Sequence, residues 1–236
     1  MLEYWLDLLF AADVERVVIN LHHHADMVQE YVQRTAWRDR AVLVREPELL
    51  GTAGTILRQQ EQFSSGPFIV AHADNLSVFD CRAFVHRHAR RPAGCVMTMM
   101  TFRTQSPESC GIVALDQAEI VCEFHEKVTH PPGNLANAAV YVLEPDVLDY
   151  LRGLKKSFID FSSEVIPHFL GRIYTFHNAE YHEDIGTLAH WRRAQSEYSG
   201  PFPSMPQQVA WDHLLNAYPD IERTVATLLS GSDVVK

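Results

Sequence analysis

PFIVAHADN, residues 67–75, decides the architecture. Phe68 to Ala71 form an unbroken apolar run, and the carboxylate of Asp74 follows three residues later. A run without polar alternation reads as a strand, over 67–74, covered on both faces. A buried carboxylate without partners costs several kcal/mol, so Asp74 must meet a cation, hydrogen-bond donors or water. The C-terminal end of a parallel strand offers that setting, because ligands of open α/β sheets bind there. Taken alone, Asp74 better suits a helix cap or a solvated loop.

Working outward, the same rhythm repeats. Upstream, helical spacing over 2–12 precedes a β-branched strand, RVVIN (16–20), and an amphipathic helix over 24–35. AVLVRE (41–46) reads as strand and TAGTILRQQEQF (52–63) as helix. Downstream, a helix over 78–91 leads to CVMTMMTF (95–102), a further apolar strand. The alternation predicts a parallel sheet with helices on both faces. The rhythm then changes: GIVALD (111–116) and EIVCEFHEK (119–127) read as a hairpin, followed by the strand LANAAVYVL (135–143). Pro145 suits the first position of a helix over 145–154, and Pro167 kinks a helix over 160–171. RIYTFHN (172–178) is strand and 186–198 helix. SGPFPSMP (199–206) reads as a linker to two helical pieces, about 207–217 and 219–230, so the predicted division is 1–198, 199–206 and 207–236. Trp211, Leu214, Leu215, Ile221, Val225, Leu228 and Leu229 give those pieces an apolar face, for packing on their own domain or for a homodimer.

The chain has 236 residues, 47% of them hydrophobic, enough for a large core. A net charge of -10 argues against a nucleic-acid partner, which wants a basic face, but leaves room for phosphate ligands. Cys81, Cys95, Cys110 and Cys122 form no C-x-x-C pair, which suits free thiols in the cytoplasm. No stretch is apolar enough to span a bilayer.

Four further segments carry chemistry. Gly51 and Gly54 in ELLGTAGTIL bracket a strand-to-helix turn; glycines there admit a flat ligand, and the helix start favours anions. Glu126 and Lys127 close one strand, and Asn137 lies in the next; the lysine could meet a phosphate, and the other two sugar hydroxyls. Asp184 stands just before Gly186 and a new helix. His22, His23 and His24 lack the nearby Cys or carboxylate spacing of a metal site. Alone, each segment fits an ordinary turn, cap or solvated pair.

In order, GTAG, HADN, EK, NLANAAVYVL, DFSSEVIP and DIGT resemble the sugar-phosphate nucleotidyltransferase family, from Met1 to about Tyr198. That resemblance implies an α/β fold with a doubly wound, Rossmann-like mixed sheet of the nucleotide-diphospho-sugar transferase type. It implies a reaction between a nucleoside triphosphate and a sugar 1-phosphate that releases pyrophosphate, with Mg²⁺ as cofactor. Asp74 and Asp184 match the metal-binding aspartates, and Lys127 the lysine on the sugar phosphate. Gly51, Thr52 and Gly54 match the nucleobase turn. Gly111, Glu126 and Asn137 match sugar contacts. Ala139 stands where the family usually has Gly, Cys110 where it has an aromatic, and His182-Glu183 where it has Trp-x. In the family, a strand, a G-x-G-T-R loop and a Pro-Lys segment precede the helix that MLEYWLDLLF resembles. Met1 falls at the residue before that helix, so the sheet is expected without its first strand, leaving RVVIN and FIVAH each short of one partner. Weak or no turnover is the expectation for these 236 residues, and a non-catalytic sugar-nucleotide-binding or regulatory subunit is the alternative. A generic Rossmann-like binder of another cofactor has less support, since no G-x-G-x-x-G follows a strand.

Overall fold

The structure, a computed structural model, describes residues 1–63, 65–200 and 207–230. In chain order its elements are α1 (Leu2–Ala11), β1 (Val17–Leu21), α2 (Ala25–Gln33), β2 (Ala41–Arg45), α3 (Gly51–Arg58), β3 (Phe68–Ala71), β4 (Asn75–Val78), α4 (Cys81–Ala89) and β5 (Met97–Arg103). Then come β6 (Gly111–Leu115), β7 (Val121–Glu126), β8 (Leu135–Leu143), α5 (Asp146–Gly153), β9 (Ile173–His177), β10 (Tyr181–Asp184), α6 (Leu188–Glu197), α7 (Gln208–Ala217) and α8 (Asp220–Ser230). They divide into two compact units. One comprises Met1–Glu48, Gln195–Glu197 and the described C-terminal residues; the other comprises Leu49–Ala194 and Tyr198–Gly200.

In the first unit β1 and β2 pair in parallel, Val17 opposite Ala41. Helix α1 begins without a side-chain cap. Helix α7 lies against α2, where Tyr31, Val32, Ala210 and Leu214 form a small core with Ile19 and Leu43 behind them. The carboxylate of Glu3 fixes the start of α7, accepting from the Gln207 amide at 2.7 Å and from the Trp211 indole at 3.0 Å. The C-terminal helices thus pack on residues from the start of the chain. Residues 201–206 of the expected linker lie outside the described residues.

The second unit is built on β8. It runs antiparallel to β5 along one edge and antiparallel to β3 and β6 along the other; β9 adds to β5 in parallel, and β7 closes a hairpin with β6. The sheet is therefore mixed, and the parallel sheet expected from the βα rhythm holds only for β1–β2 and β5–β9. The reversal comes from β8: it enters the sheet after a hairpin rather than a helix, so its direction is free to oppose its neighbours. Strand β5 is buried on both faces. Met97 and Met99 join the main core with Ile56 of α3 and Val147, Leu148 and Leu151 of α5, whereas Thr98 bonds His88 of α4 on the other face. The hairpin turn is made by Asp116, whose Oδ1 accepts from the amides of Ala118 and Ile120 at 2.8 and 2.9 Å. The helix expected over 160–171 is instead one wide turn (Phe161–Val165) and a short 3-10 turn at Pro167, which cannot donate its amide to a continuing helix. Among the described strands, β1 pairs only with β2 and β3 only with β8.

Candidate active site

Strand β3 stops at Ala71, three residues before Asp74, which lies exposed in the turn to β4. Strands β4 and β10 form an antiparallel pair, with Asn75 opposite Asp184. Buried Asn75 anchors the turn by donating to the Ala138 carbonyl at 3.0 Å, and the Ile185 amide donates to the Asp74 carbonyl at 3.0 Å. This ladder brings the two aspartates together over Gly186. A Cβ there would stand 2.9 Å from Asp184 Oδ1 and 3.7 Å from Asp74 Oδ2. The Gly186 amide donates to Asp184 Oδ1 at 2.8 Å. Two solvated carboxylates around a glycine cradle suit Mg²⁺, which takes one or two protein carboxylates and completes its shell with water and phosphate oxygens. Among the described residues no group of three or more His, Cys, Asp or Glu could hold a metal.

His182 supports this pair from beneath. Its Nδ1 lies 2.6 Å from Ser77 Oγ and its ring 4.2 Å from that of Phe102. Burial pushes its pKa down to about 4, against a partial opposing pull from Asp184. An aromatic ring therefore still fills the position where the family carries Trp. Glu183 is buried and held by Arg193 at 2.5 and 2.6 Å.

The glycine turn opens α3. Gly51 has φ +71°, a conformation costly for other residues. A Cβ at Gly51 would lie 2.5 Å from the Ile159 carbonyl oxygen, and one at Gly54 only 2.2 Å from that of Ser157. The space that glycine leaves is filled by the chain's own backbone. Thr52 Oγ1 stands 3.2 Å from His72 Nε2, tying the turn to the segment that carries Asp74.

A third cluster forms at the end of the β6–β7 hairpin. Gly111 pairs with Glu126, and a Cβ at Gly111 would lie 2.7 Å from Glu126 Oε2 and from the Phe124 ring. Lys127 takes a left-handed φ of 48°, donates its amide to the Cys110 carbonyl at 3.2 Å and keeps its ammonium 3.9 Å from Glu126. Burial raises the pKa of Glu126, an effect that Lys127 opposes and Asp160 reinforces. Asn137 donates to the Tyr141 hydroxyl at 2.7 Å and accepts from the Ala139 amide at 3.0 Å.

Two members of this cluster were not singled out in the sequence. Tyr141 is wholly buried, and burial raises its pKa. Asp160 is an electrostatic neighbour of Lys127 and Glu126; burial works to raise its pKa, but hydrogen bonds from Ser163 and Ser162 and the charge of Lys127 outweigh it. The signal for Asp160 was present in DFSSE. Its carboxylate caps the Ser163 amide at 2.7 Å while Glu164 reaches back to its own amide at 2.9 Å, the reciprocal arrangement of a capping box. In the first unit, His22 Nδ1 is engaged with the Glu46 carbonyl at 2.7 Å, and the histidine run gathers no metal site among the described residues.

The second unit is thus a mixed α/β sheet whose loops present paired aspartates, a glycine turn and a lysine beside a carboxylate. The profile of the nucleotidyl transferase family matches residues 1–200, and the chain belongs to that family. A glucose-1-phosphate adenylyltransferase of Lachnospira eligens is 29% identical over 155 residues, covering 62% of this chain and 37% of the relative. A mannose-1-phosphate guanylyltransferase of Mycobacterium tuberculosis is 26% identical over 201 residues, covering 83% and 55%. The chain therefore spans about a third to a half of the length of these curated relatives. HddC from Yersinia pseudotuberculosis, solved in complex with GMP-PN, superposes with a TM-score of 0.69 at 20% identity, covering 83% of this chain and 84% of that one. No described helix is long and apolar enough to cross a membrane.

Proposed function

We propose that this chain carries the site of a sugar-1-phosphate nucleotidyltransferase. The observation that carries the reading is the convergence of Asp74 and Asp184 over Gly186, on the paired strands β4 and β10. In the proposed reaction a phosphate oxygen of the sugar 1-phosphate attacks the α-phosphorus of a nucleoside triphosphate. The bond to the bridging oxygen of the β-phosphate breaks, and pyrophosphate leaves. Such chemistry needs positioning and charge neutralisation more than covalent help. Asp74 and Asp184 would hold Mg²⁺, which supplies charge neutralisation at the phosphates when bound. Gly51, Thr52 and Gly54 form the nucleobase turn. Lys127 meets the sugar phosphate, and Glu126 and Asn137 take sugar hydroxyls. Gly111 serves them by letting Glu126 lie flat against the opposite strand. A mannose- or heptose-like sugar with GTP is the pair we favour, on general likeness only, since LLGTAGTI resembles the guanylyl- and thymidylyl-transferring branches about equally.

One sequence feature supports a second reading. No G-x-G-T-R occurs within the 236 residues. A sugar-nucleotide-binding or regulatory role is the alternative reading.

Mass spectrometry of products from each NTP with each sugar 1-phosphate, in Mg²⁺, tests the proposal. Slow NDP-sugar formation that is lost in Asp184→Asn supports transfer. Tight product binding without turnover supports the binding role, and neither binding nor product discards both. Cytoplasmic residence is proposed from the four free thiols. A homodimer is proposed as the assembly, and sedimentation at the monomer mass across concentrations would contradict it.

A further inference from the structure

The segment Ser157–Phe161 touches two of the three clusters. At one end it is laced to the glycine turn. The Ile159 carbonyl accepts from the amides of Ala53 and Gly54 at 3.1 and 3.3 Å, and the Ile159 amide donates to the Leu50 carbonyl at 2.9 Å. The approach is closest at Gly54, and the atom opposite is a backbone oxygen, which cannot swing aside as a side chain can. At its other end the segment carries Asp160, fixed by the amide and hydroxyl of Ser163, each at 2.7 Å, beside the charges of Lys127 and Glu126. Phe161 follows, its ring centroid 4.7 Å from that of Tyr141, whose hydroxyl holds Asn137. The two backbone anchors are consecutive residues: Ile159 bonds Leu50, and the Asp160 carbonyl accepts from the Glu164 amide at 3.1 Å.

We propose that Gly51 and Gly54 are positioning residues for the sugar-phosphate side of the site. By admitting the Ser157–Phe161 strap against the nucleotide turn, they set where Asp160 and Phe161 stand against Lys127, Glu126 and Tyr141. The proposal rests on the transferase reading above and adds to it. Two glycines assigned to the nucleotide turn govern sugar-phosphate affinity, and the two subsites move as one piece.

Calorimetry with mannose 1-phosphate and glucose 1-phosphate, and separately with GTP and ATP, is run on wild type, Gly54→Ala, Asp160→Asn and the double variant, with Mg²⁺ throughout. Asp160→Asn loses the charge-assisted bonds from Ser163 that fix the end of the strap, and a misplaced strap of that worth corresponds to about tenfold in affinity, so each single variant is expected to weaken sugar-phosphate binding about tenfold. Because both act through Asp160, the double variant is expected to bind about as weakly as Asp160→Asn alone. Amide exchange at Ile159, Asp160 and Ser163 is expected to quicken in Gly54→Ala. A second measurement needs no variant to fold: sugar 1-phosphate added to the wild-type chain slows exchange at the amides of Ala53 and Gly54. Fully additive losses, weakening confined to the nucleotide, or unchanged exchange at Ala53 and Gly54 on saturation would each overturn the proposal. A wild-type chain that binds no sugar phosphate overturns the transferase reading itself. Exchange in Gly54→Ala then shows separately whether the glycine seats the strap.

Discussion

Ala139 holds a left-handed φ of 51° within β8, at the position next but one to Asn137. A methyl there crowds the backbone by about 1–2 kcal/mol, and glycine would relieve it at an entropic cost of about 0.5–1 kcal/mol. Ala139→Gly is therefore expected to stabilise the fold by up to about 1 kcal/mol, read as a higher urea midpoint; a lower midpoint would contradict the strain. The departure from the family's Gly was visible in the sequence, but its meaning was not, because φ is invisible there. Gly51, Gly54 and Gly111 teach the converse. Each reads as space left for a ligand, yet each space is taken by the chain's own Ile159, Ser157, Glu126 or Phe124. Asp160 went unread because a carboxylate before FSSE looks like an ordinary cap, which it also is.

The elements that matter most for the site are those the sequence hid. NLSV and YHED are four residues each, too short and too polar for a strand pattern to emerge. Their pairing depends on residues about a hundred positions apart, which no local signal reports. Buried Ser77 is the pin of this pair. Ser77→Ala would strand the buried His182 nitrogen and is expected to cost about 1–3 kcal/mol, measured by chemical denaturation; a neutral result would assign the pair another anchor. Helix α4 offers a pH test. His88 is buried between Thr98 and Glu144, at 2.8 and 3.1 Å. Burial lowers its pKa, with Glu144 opposing and Arg91 adding to the shift. The unfolded imidazole takes a proton near pH 6.5 and the folded one resists it, so the unfolded state binds more protons in that window. Stability is thus complete above about pH 6.5 and falls as the pH drops below it. Urea midpoints at pH 7.5 and 5.5 should differ more for wild type than for His88→Gln, and equal differences would exclude His88 as the cause.

For the molecule as a whole, element order and the changeover from βα units to a hairpin were legible, since both follow from apolar periodicity. Strand direction was not. A hairpin at the sheet edge, followed by the central strand β8, turned a parallel pattern into a mixed one, and only pairing partners far along the chain reveal that. The packing of α7 on α2 likewise joins residues about two hundred apart. Leu214 is buried in that contact, so Leu214→Ala is expected to cost about 2–5 kcal/mol within its unit. Hydrogen exchange should quicken in α2, β1 and β2 while β5 and β8 keep their protection; uniform loss would mean that the two units unfold as one.

The most direct test of the site is a calorimetric titration of the chain with GDP-mannose and ADP-glucose in Mg²⁺, since one such molecule would span both proposed subsites. The account predicts saturable binding that weakens by about tenfold or more in Asp184→Asn and in Lys127→Ala, as expected for loss of a charge-assisted contact. A folded wild-type chain that binds neither, or binding indifferent to both substitutions, would contradict it.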